Sequence, residues 1–351
     1  MSTMRAVVLH EHGDVDKLLY EEIEQLPLAP GDVRVKVGVT ALNALDVFTR
    51  QGLPGVKLPL PHILGGDVAG WVEEAADEAG AELVGRPVLV DPLCTDYRGW
   101  KLGVFGEQHW GGLAESMVAP AANCIPLDGV DAVGLRPFAA LPIAYGTAHH
   151  MIHARGGLAE GETMVVLGAA GGVGVACIQL GKQAGARVVA CSTSDEKLEL
   201  LRKLGADEVV NTATEPFARK VWEITGKRGA DVVVDYIGRD TFNDSIRAAR
   251  VSDLVHPGGR ILTCGASSGF ETTIDMRFVW TKEVDVRGSN GWRRPELSAL
   301  VDMVKSGGLE PVIDAVFPLT RARDAVSALE QRTVLGKVLV VPDDVLEQAG
   351  A

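Results

Sequence analysis

No part of this sequence limits the possible folds more tightly than VVLGAAGGVGVACIQLGKQAG at residues 165–185. An apolar, strand-like run enters Gly168, Ala169, Ala170, Gly171, Gly172, Val173 and Gly174, and a helical stretch follows. Glycines let the backbone come close to a diphosphate, and the free N–H groups and positive dipole end of the helix then stabilise its charge. Strand, glycine turn and helix stand in the order that a dinucleotide site requires, which separates this run from a tight turn with no ligand. Ala170, Gly171, Gly172, Val173 and Gly174 are the residues expected to meet the diphosphate.

The next strand, RVVACS, ends where an NAD site carries an acidic residue for the ribose 2′-hydroxyl. Ser192, Thr193 and Ser194 stand there instead, with Lys197 nearby. Three hydroxyls and an ammonium can donate to a 2′-phosphate, and no carboxylate closes the strand to repel it, so NADPH is expected over NADH. The bland alternative for Lys197 is an exposed helix lysine. No arginine occupies the turn.

Around this motif the chain changes rhythm twice. At 351 residues it is longer than one hydrophobic core usually supports, which favours two domains. Residues 1–140 offer short β-rich runs such as RAVVLHE, DVRVKVGVTA, DVAGWVEEA and RPVLVDPL, punctuated by Gly, Pro and Asp. Across 141–290 apolar strands alternate with helical stretches, which implies a parallel sheet covered on both faces. Residues 291–351 bring a helix at PELSALVDMVKSGG, another at RARDAVSALEQ and a closing strand KVLVVP, read as a return to the first domain.

Subtracting 47 acidic from 34 basic side chains leaves −13, which opposes binding to nucleic acid or anionic membranes. The five cysteines are scattered, with no CxxC pair, so a reducing cytoplasm is expected rather than a disulfide framework. No apolar stretch reaches membrane-spanning length and the N-terminus shows no signal-peptide pattern, so the expectation is a soluble, unprocessed protein. The partner expected is a small-molecule substrate.

Several further motifs recur in order: ALNALDVFTRQG from residue 41, LGGDVAGWV from 64, HWGGLAESMVAP from 109, AALPIAYGTAHH from 139 and the closing LGKVLVV. Together with GAAGGVG they resemble the medium-chain dehydrogenase/reductase superfamily, and within it the zinc-independent quinone oxidoreductase type. The resemblance covers essentially the whole chain. It implies an α/β fold: a GroES-like β-rich catalytic domain (1–140), an inserted Rossmann domain with a doubly wound parallel sheet (141–290), and a C-terminal return (291–351). It also implies that Asn211 closes the adenosine pocket, Ile237 flanks the adenine, Gly265 and Ala266 the nicotinamide ribose, Asn290 the nicotinamide end, and Lys337 the diphosphate. A homodimer through the edge strand in FVWTKEVDVRGSN is implied as well.

Zinc-dependent members of this superfamily hold a catalytic metal with a Cys, a His and a later Cys. The matching positions here are Asn43, Gly66 and about Ala139, and the alcohol-proton relay falls near Leu45. Asn43 is a poor zinc ligand and the other two offer no side-chain donor. The lobe that carries four zinc-binding cysteines in many relatives keeps only Cys94, so no metal is expected.

Without a Lewis acid, an isolated ketone lacks help for its developing alkoxide, whereas a quinone or enone spreads the charge into an enolate. The expected activity is therefore NADPH-dependent reduction of a quinone, enone or enoyl acceptor. Asn43 is the best candidate for a donor to the substrate oxygen or nicotinamide ribose, against a turn-forming role. Asp46, one helical turn on, would orient Asn43 or a basic partner, or simply cap the helix. Asp67 reads as an anchor behind the reacting groups or a strand-end turn. Loops at Gly52 to His62, Tyr97 to Trp110 and Phe278 to Arg294 are expected to shape the substrate pocket. Two alternatives stand beside this reading: an alcohol or aldehyde dehydrogenase of the same fold, and a non-catalytic NADPH-binding sensor or scaffold.

Overall fold

The computed structural model describes residues 2–53 and 57–348. Pro54, Gly55 and Val56 of the expected substrate loop, and the last three residues of the expected C-terminal segment, lie outside that description. The chain divides into two compact units, one built from residues 1–143 and 297–351, the other from 144–296.

In the first unit the strand Asp32–Leu42 organises the main sheet. It pairs antiparallel with Asp67–Ala75, with Ser116–Pro120 and with Lys337–Val341, so the C-terminal tail does return to this unit. Valines on alternate positions, Val33, Val35 and Val37, pack against Val68, Val72, Val88 and Val90, the period of two that a strand imposes. Thr3–Leu9 pairs with Leu18–Glu24 and His62–Ile63 in a separate sheet. Leu18–Glu24 is absent from the sequence expectation, because its burial is confined largely to Leu18 and the strand runs exposed and acidic.

Where relatives carry four zinc cysteines, this chain forms a hairpin of Leu93–Tyr97 and Trp100–Val104. Its centre is aromatic: the His109 ring lies 5.0 Å from Tyr97 and 5.6 Å from Phe105. Arg98 ties the turn down with a 2.9 Å bond to the buried Asp32 carboxylate. Aromatic packing and the Arg98–Asp32 ion pair hold the lobe to the unit, and a surface pair, Lys101 with Asp96, spans the hairpin itself.

The second unit holds six parallel strands in the order Glu208–Asn211, Arg187–Ser192, Thr163–Val166, Val232–Val234, Arg260–Thr263, Asp285–Gly288. Numbered along the chain this is 3-2-1-4-5-6, the doubly wound order whose reversal lies beside the first strand. The two central strands, Thr163–Val166 and Val232–Val234, are buried throughout and rich in Val, as a sheet covered on both faces demands. Among the described residues no helix is long and apolar enough to cross a membrane.

Two buried imidazoles make the first unit acid-sensitive. Burial lowers His62 to about 4, and does the same to His109, whose Nε2 has no hydrogen-bond partner. The unfolded chain takes up these protons from about pH 6.5 downwards while the folded chain resists until about 4, so their contribution to stability is full above that interval and is lost across it. Asp46 and Asp67, raised by burial, act with the opposite sign, so a variant comparison isolates the histidine. In urea melts His109→Phe is expected to lose less stability than the wild-type chain on acidification from pH 6.5 to 4. Parallel profiles for the two proteins would rule this linkage out.

Candidate functional site

In the second unit the strand Thr163–Val166 ends in a turn that demands glycine at two positions, Gly168 and Gly174. Gly168 adopts a left-handed conformation with φ +61°, and a Cβ there would meet Ile237 at 3.0 Å and the Tyr236 ring at 3.3 Å. A Cβ on Gly174 would sit 2.6 Å from the Ala169 Cα, so the helix Gly172–Gln183 can start only this close to its strand with glycine at that position. Gly171, the N-cap, is exposed and has open space beyond it. The first N–H groups of this 12-residue helix have no intrahelical acceptor; that of Gly174 is taken by the Tyr236 hydroxyl, and those of Gly172 and Val173 are directed outward, as an anion would need.

Sequence reasoning missed Tyr236, which follows the strand Val232–Val234 and reads there as an ordinary strand-end residue. Its hydroxyl donates to the Gly168 carbonyl at 2.8 Å and so braces the turn from below. Asp235 beside it is fully buried and accepts from the Ile237 and Gly238 N–H groups and from the Thr241 and Ser245 hydroxyls. These four bonds fix the loop that carries Ile237.

The parallel order brings the expected dinucleotide residues to one edge of the sheet. The glycine turn, Ser192 to Ser194, Asn211, Ile237, Gly265 with Ala266, and Asn290 each follow or close the carboxyl end of a strand. Ser194 caps the helix Asp195–Lys203 by accepting from the Lys197 N–H, and Ser192 Oγ accepts from the Ser194 N–H, both at 3.4 Å. Thr193 is exposed. Asn211 donates to Asp195 at 2.6 Å and accepts from the Ala213 N–H at 2.9 Å. Glycine turn, open helix N-terminus and strand ends together fit a dinucleotide.

In the first unit Asn43, Asp46, Asp67 and Lys337 form a buried polar cluster, and here the structure departs from the expected roles. Asn43 Nδ2 donates to Asp67 at 2.8 Å and to the Ala41 carbonyl at 3.3 Å, while its Oδ1 accepts from Lys337 Nζ at 2.6 Å. The amide expected to face substrate or nicotinamide ribose is thus committed internally. Lys337, expected on the diphosphate, places its three donors on the Leu42 carbonyl at 2.9 Å, Asn43 at 2.6 Å and Asp67 at 3.0 Å, with its side chain 1% exposed. An ammonium with every proton used has none left for a phosphate.

Asp46 takes the orienting and capping role considered for it, and its contacts are all to backbone. Its carboxylate accepts from the Asn43 N–H and the Gly65 N–H, each at 2.7 Å, joining the start of the helix Ala44–Gln51 to the Gly65–Gly66 turn. Burial pushes Asp46 up to about 6, against the pull of those two N–H groups. Asp67 is likewise raised by burial, opposed chiefly by Lys337, and it also accepts from the Ile143 N–H at 2.9 Å.

The same cluster decides whether a zinc fits. A Cβ on Gly66 would lie 2.5 Å from the Phe105 carbonyl oxygen and 2.8 Å from Ile143, so the space of the family's histidine is filled by other atoms. Ala139 has no donor atom, and the Asn43 carbonyl oxygen already holds an ammonium. Among the described residues no group of three His, Cys, Asp or Glu side chains is placed to hold a metal. The residues present do not fit a catalytic zinc. Cys94 is buried, and burial pushes its thiol up to about 12. His150 is engaged with Glu296 at 3.0 Å, in keeping with a packing role.

Removing Lys337 would strand the Asp67 charge in the interior, so Lys337→Met is expected to lower unfolding stability by about 3 kcal/mol in urea denaturation. A stable variant whose only defect is weak dinucleotide binding would restore the diphosphate role. Tyr236→Phe removes one hydrogen bond from the turn, and its dinucleotide Kd in fluorescence titration should rise by about fivefold with the melting curve little changed.

Comparison with known proteins agrees with this architecture. Residues 29–129 match the alcohol dehydrogenase GroES-like domain, and residues 172–306 match the zinc-binding dehydrogenase domain. The chain is 29% identical to a 2-haloacrylate reductase of Burkholderia sp, over 96% of this chain and 98% of that one. It is 32% identical to a chloroplastic NADPH-dependent alkenal/one oxidoreductase of Arabidopsis thaliana, over 97% of this chain and 80% of that one. A crystal structure of an NAD-dependent alcohol dehydrogenase, 34% identical, superposes with a TM-score of 0.86 over 96% of this chain and 99% of that one. Glycine turn, sheet order and matched domains together make this chain an oxidoreductase of the nicotinamide-dinucleotide-binding medium-chain dehydrogenase/reductase superfamily.

Proposed function

We propose that the protein is a zinc-independent, NADPH-dependent reductase of conjugated carbonyl acceptors, quinones or enones including enoyl thioesters. The observation that carries this reading is the replacement of the zinc ligand positions by a cluster that satisfies itself: Asn43 holds Lys337 and Asp67, and Gly66 is walled in by Phe105 and Ile143. With no cation to polarise a carbonyl, the acceptor must stabilise its own developing charge, which conjugation does. The reduced dinucleotide, when bound, supplies the hydride. The second unit's part is to hold the diphosphate on the glycine turn, and within the first unit Asp46 and Asp67 keep the backbone around Asn43 and Gly65 rigid.

Two similar proteins support the acceptor class, since haloacrylates and alkenals both carry a double bond conjugated to a carbonyl. The choice of NADPH rests on Ser192, Thr193, Ser194 and Lys197 at the end of the second strand. The alcohol dehydrogenase alternative has support in a 34% identical structure, while Leu45, which cannot relay a proton, and the poor donors Asn43 and Gly66 speak for the metal-free reading. A reducing cytoplasm belongs to the same reading, with all five cysteines present as free thiols.

The reading extends to a homodimer through the outer strand Asp285–Gly288. That strand closes the sheet, and Val286, Trp280, Met276 and Phe270 on the segment around it are exposed by 52%, 62%, 58% and 80%. Open edges of this kind invite pairing. Sedimentation is expected to give twice the chain mass; a monomer would remove this part of the proposal.

The main test follows NADPH oxidation with naphthoquinones, phenanthrenequinone, short enones, enoyl thioesters and simple aldehydes, with and without chelator. Turnover on the conjugated acceptors, unaffected by chelation, is expected. Metal-dependent activity on simple alcohols would favour the dehydrogenase, and binding without any turnover would favour the sensor or scaffold.

A further inference from the structure

The second and third strands of the parallel sheet end side by side, with Ser192 opposite Asn211. Asn211 is buried and its amide is oriented from two directions. Oδ1 accepts from the Ala213 N–H at 2.9 Å, which settles which end of the amide is oxygen. The nitrogen end therefore faces Asp195, and donates to its carboxylate at 2.6 Å.

Asp195 is the first residue of the helix Asp195–Lys203 and is exposed. It stands one residue beyond the Ser192 to Ser194 segment that would receive the adenosine ribose. Its carboxylate is the group most able to reverse cofactor preference: swung toward the ribose, it would accept from a 2′-hydroxyl and repel a 2′-phosphate. An untethered aspartate on a helix end samples several rotamers. The bond from Asn211 selects one, on the side of the strand Glu208–Asn211.

We propose that Asn211 is a specificity-determining positioning residue, which keeps the Asp195 carboxylate away from the ribose 2′ position and so preserves the preference for NADPH. The effect passes through Asp195 and requires no contact between Asn211 and the 2′-phosphate. The tether limits repulsion at a turn that carries no arginine to add attraction. The inference rests on the NADPH reading given above.

The test measures Kd for NADPH and for NADH by fluorescence titration of the full chain, and reads the ratio of the two. Asn211→Ala is expected to reduce the preference for NADPH by about tenfold, the scale of one like charge brought near a partly screened phosphate. Asn211→Ser retains an acceptor for the Ala213 N–H but is too short to hold Asp195, so it should act in the same direction even if the alanine variant folds poorly. Adding Asp195→Asn to either variant should restore the wild-type ratio, because no carboxylate then remains to swing in. A wild-type preference for NADPH that neither Asn211 variant changes overturns the inference alone, as does a loss that Asp195→Asn fails to rescue. A wild-type chain that binds both dinucleotides equally overturns the NADPH reading and the inference with it.

Discussion

The close approach of one helix to one strand sets the terms for the second unit. Gly174 lies so near Ala169 that a single methyl group would push the helix Gly172–Gln183 away from its strand. The contact fixes where the helix starts, and therefore where its unpaired N–H groups point. The doubly wound order supplies strand ends on either side of that point, and Tyr236 and Asp235 keep the neighbouring backbone in place. An anion site follows from steric economy in the turn, with no cationic side chain in the turn itself.

The first unit shows how two buried carboxylates are accommodated beside Asn43. Two buried carboxylates would be costly if left alone. Asp46 is satisfied by backbone N–H groups, and Asp67 by an ammonium, an amide and one N–H. Lys337 supplies the positive charge from a strand near the end of the chain, across hundreds of residues of sequence. The cluster is a closed hydrogen-bond network, and its effect on any chemistry comes through the backbone it holds.

Much of the architecture was legible in the sequence. Glycines at 168, 171, 172 and 174, and the alternation of valine-rich strands with helices, have few structural interpretations, and the sheet order agrees with them. The poverty of metal donors at Asn43, Gly66 and Ala139 could be read directly, because a ligand is a property of residue type. Roles that depend on what a side chain touches could not. Asn43, Asp46 and Lys337 carry polar groups suited to substrate or phosphate, and only their mutual distances show that those groups are already spent. Tyr236 could be placed at a strand end of the kind that binds ligands, but its brace on Gly168 is visible only once its hydroxyl is found there.

Local sequence was enough for the class of fold, the glycine turn and the poor donor set for zinc, since each follows from local backbone freedom, periodicity or the atoms a side chain carries. Tertiary structure alone decided which polar residues remain available to a ligand. Hydrogen-bonding capacity is finite, and whether Lys337 or Asn43 spends it on a neighbour or keeps it for a substrate depends on partners brought together from distant parts of the chain.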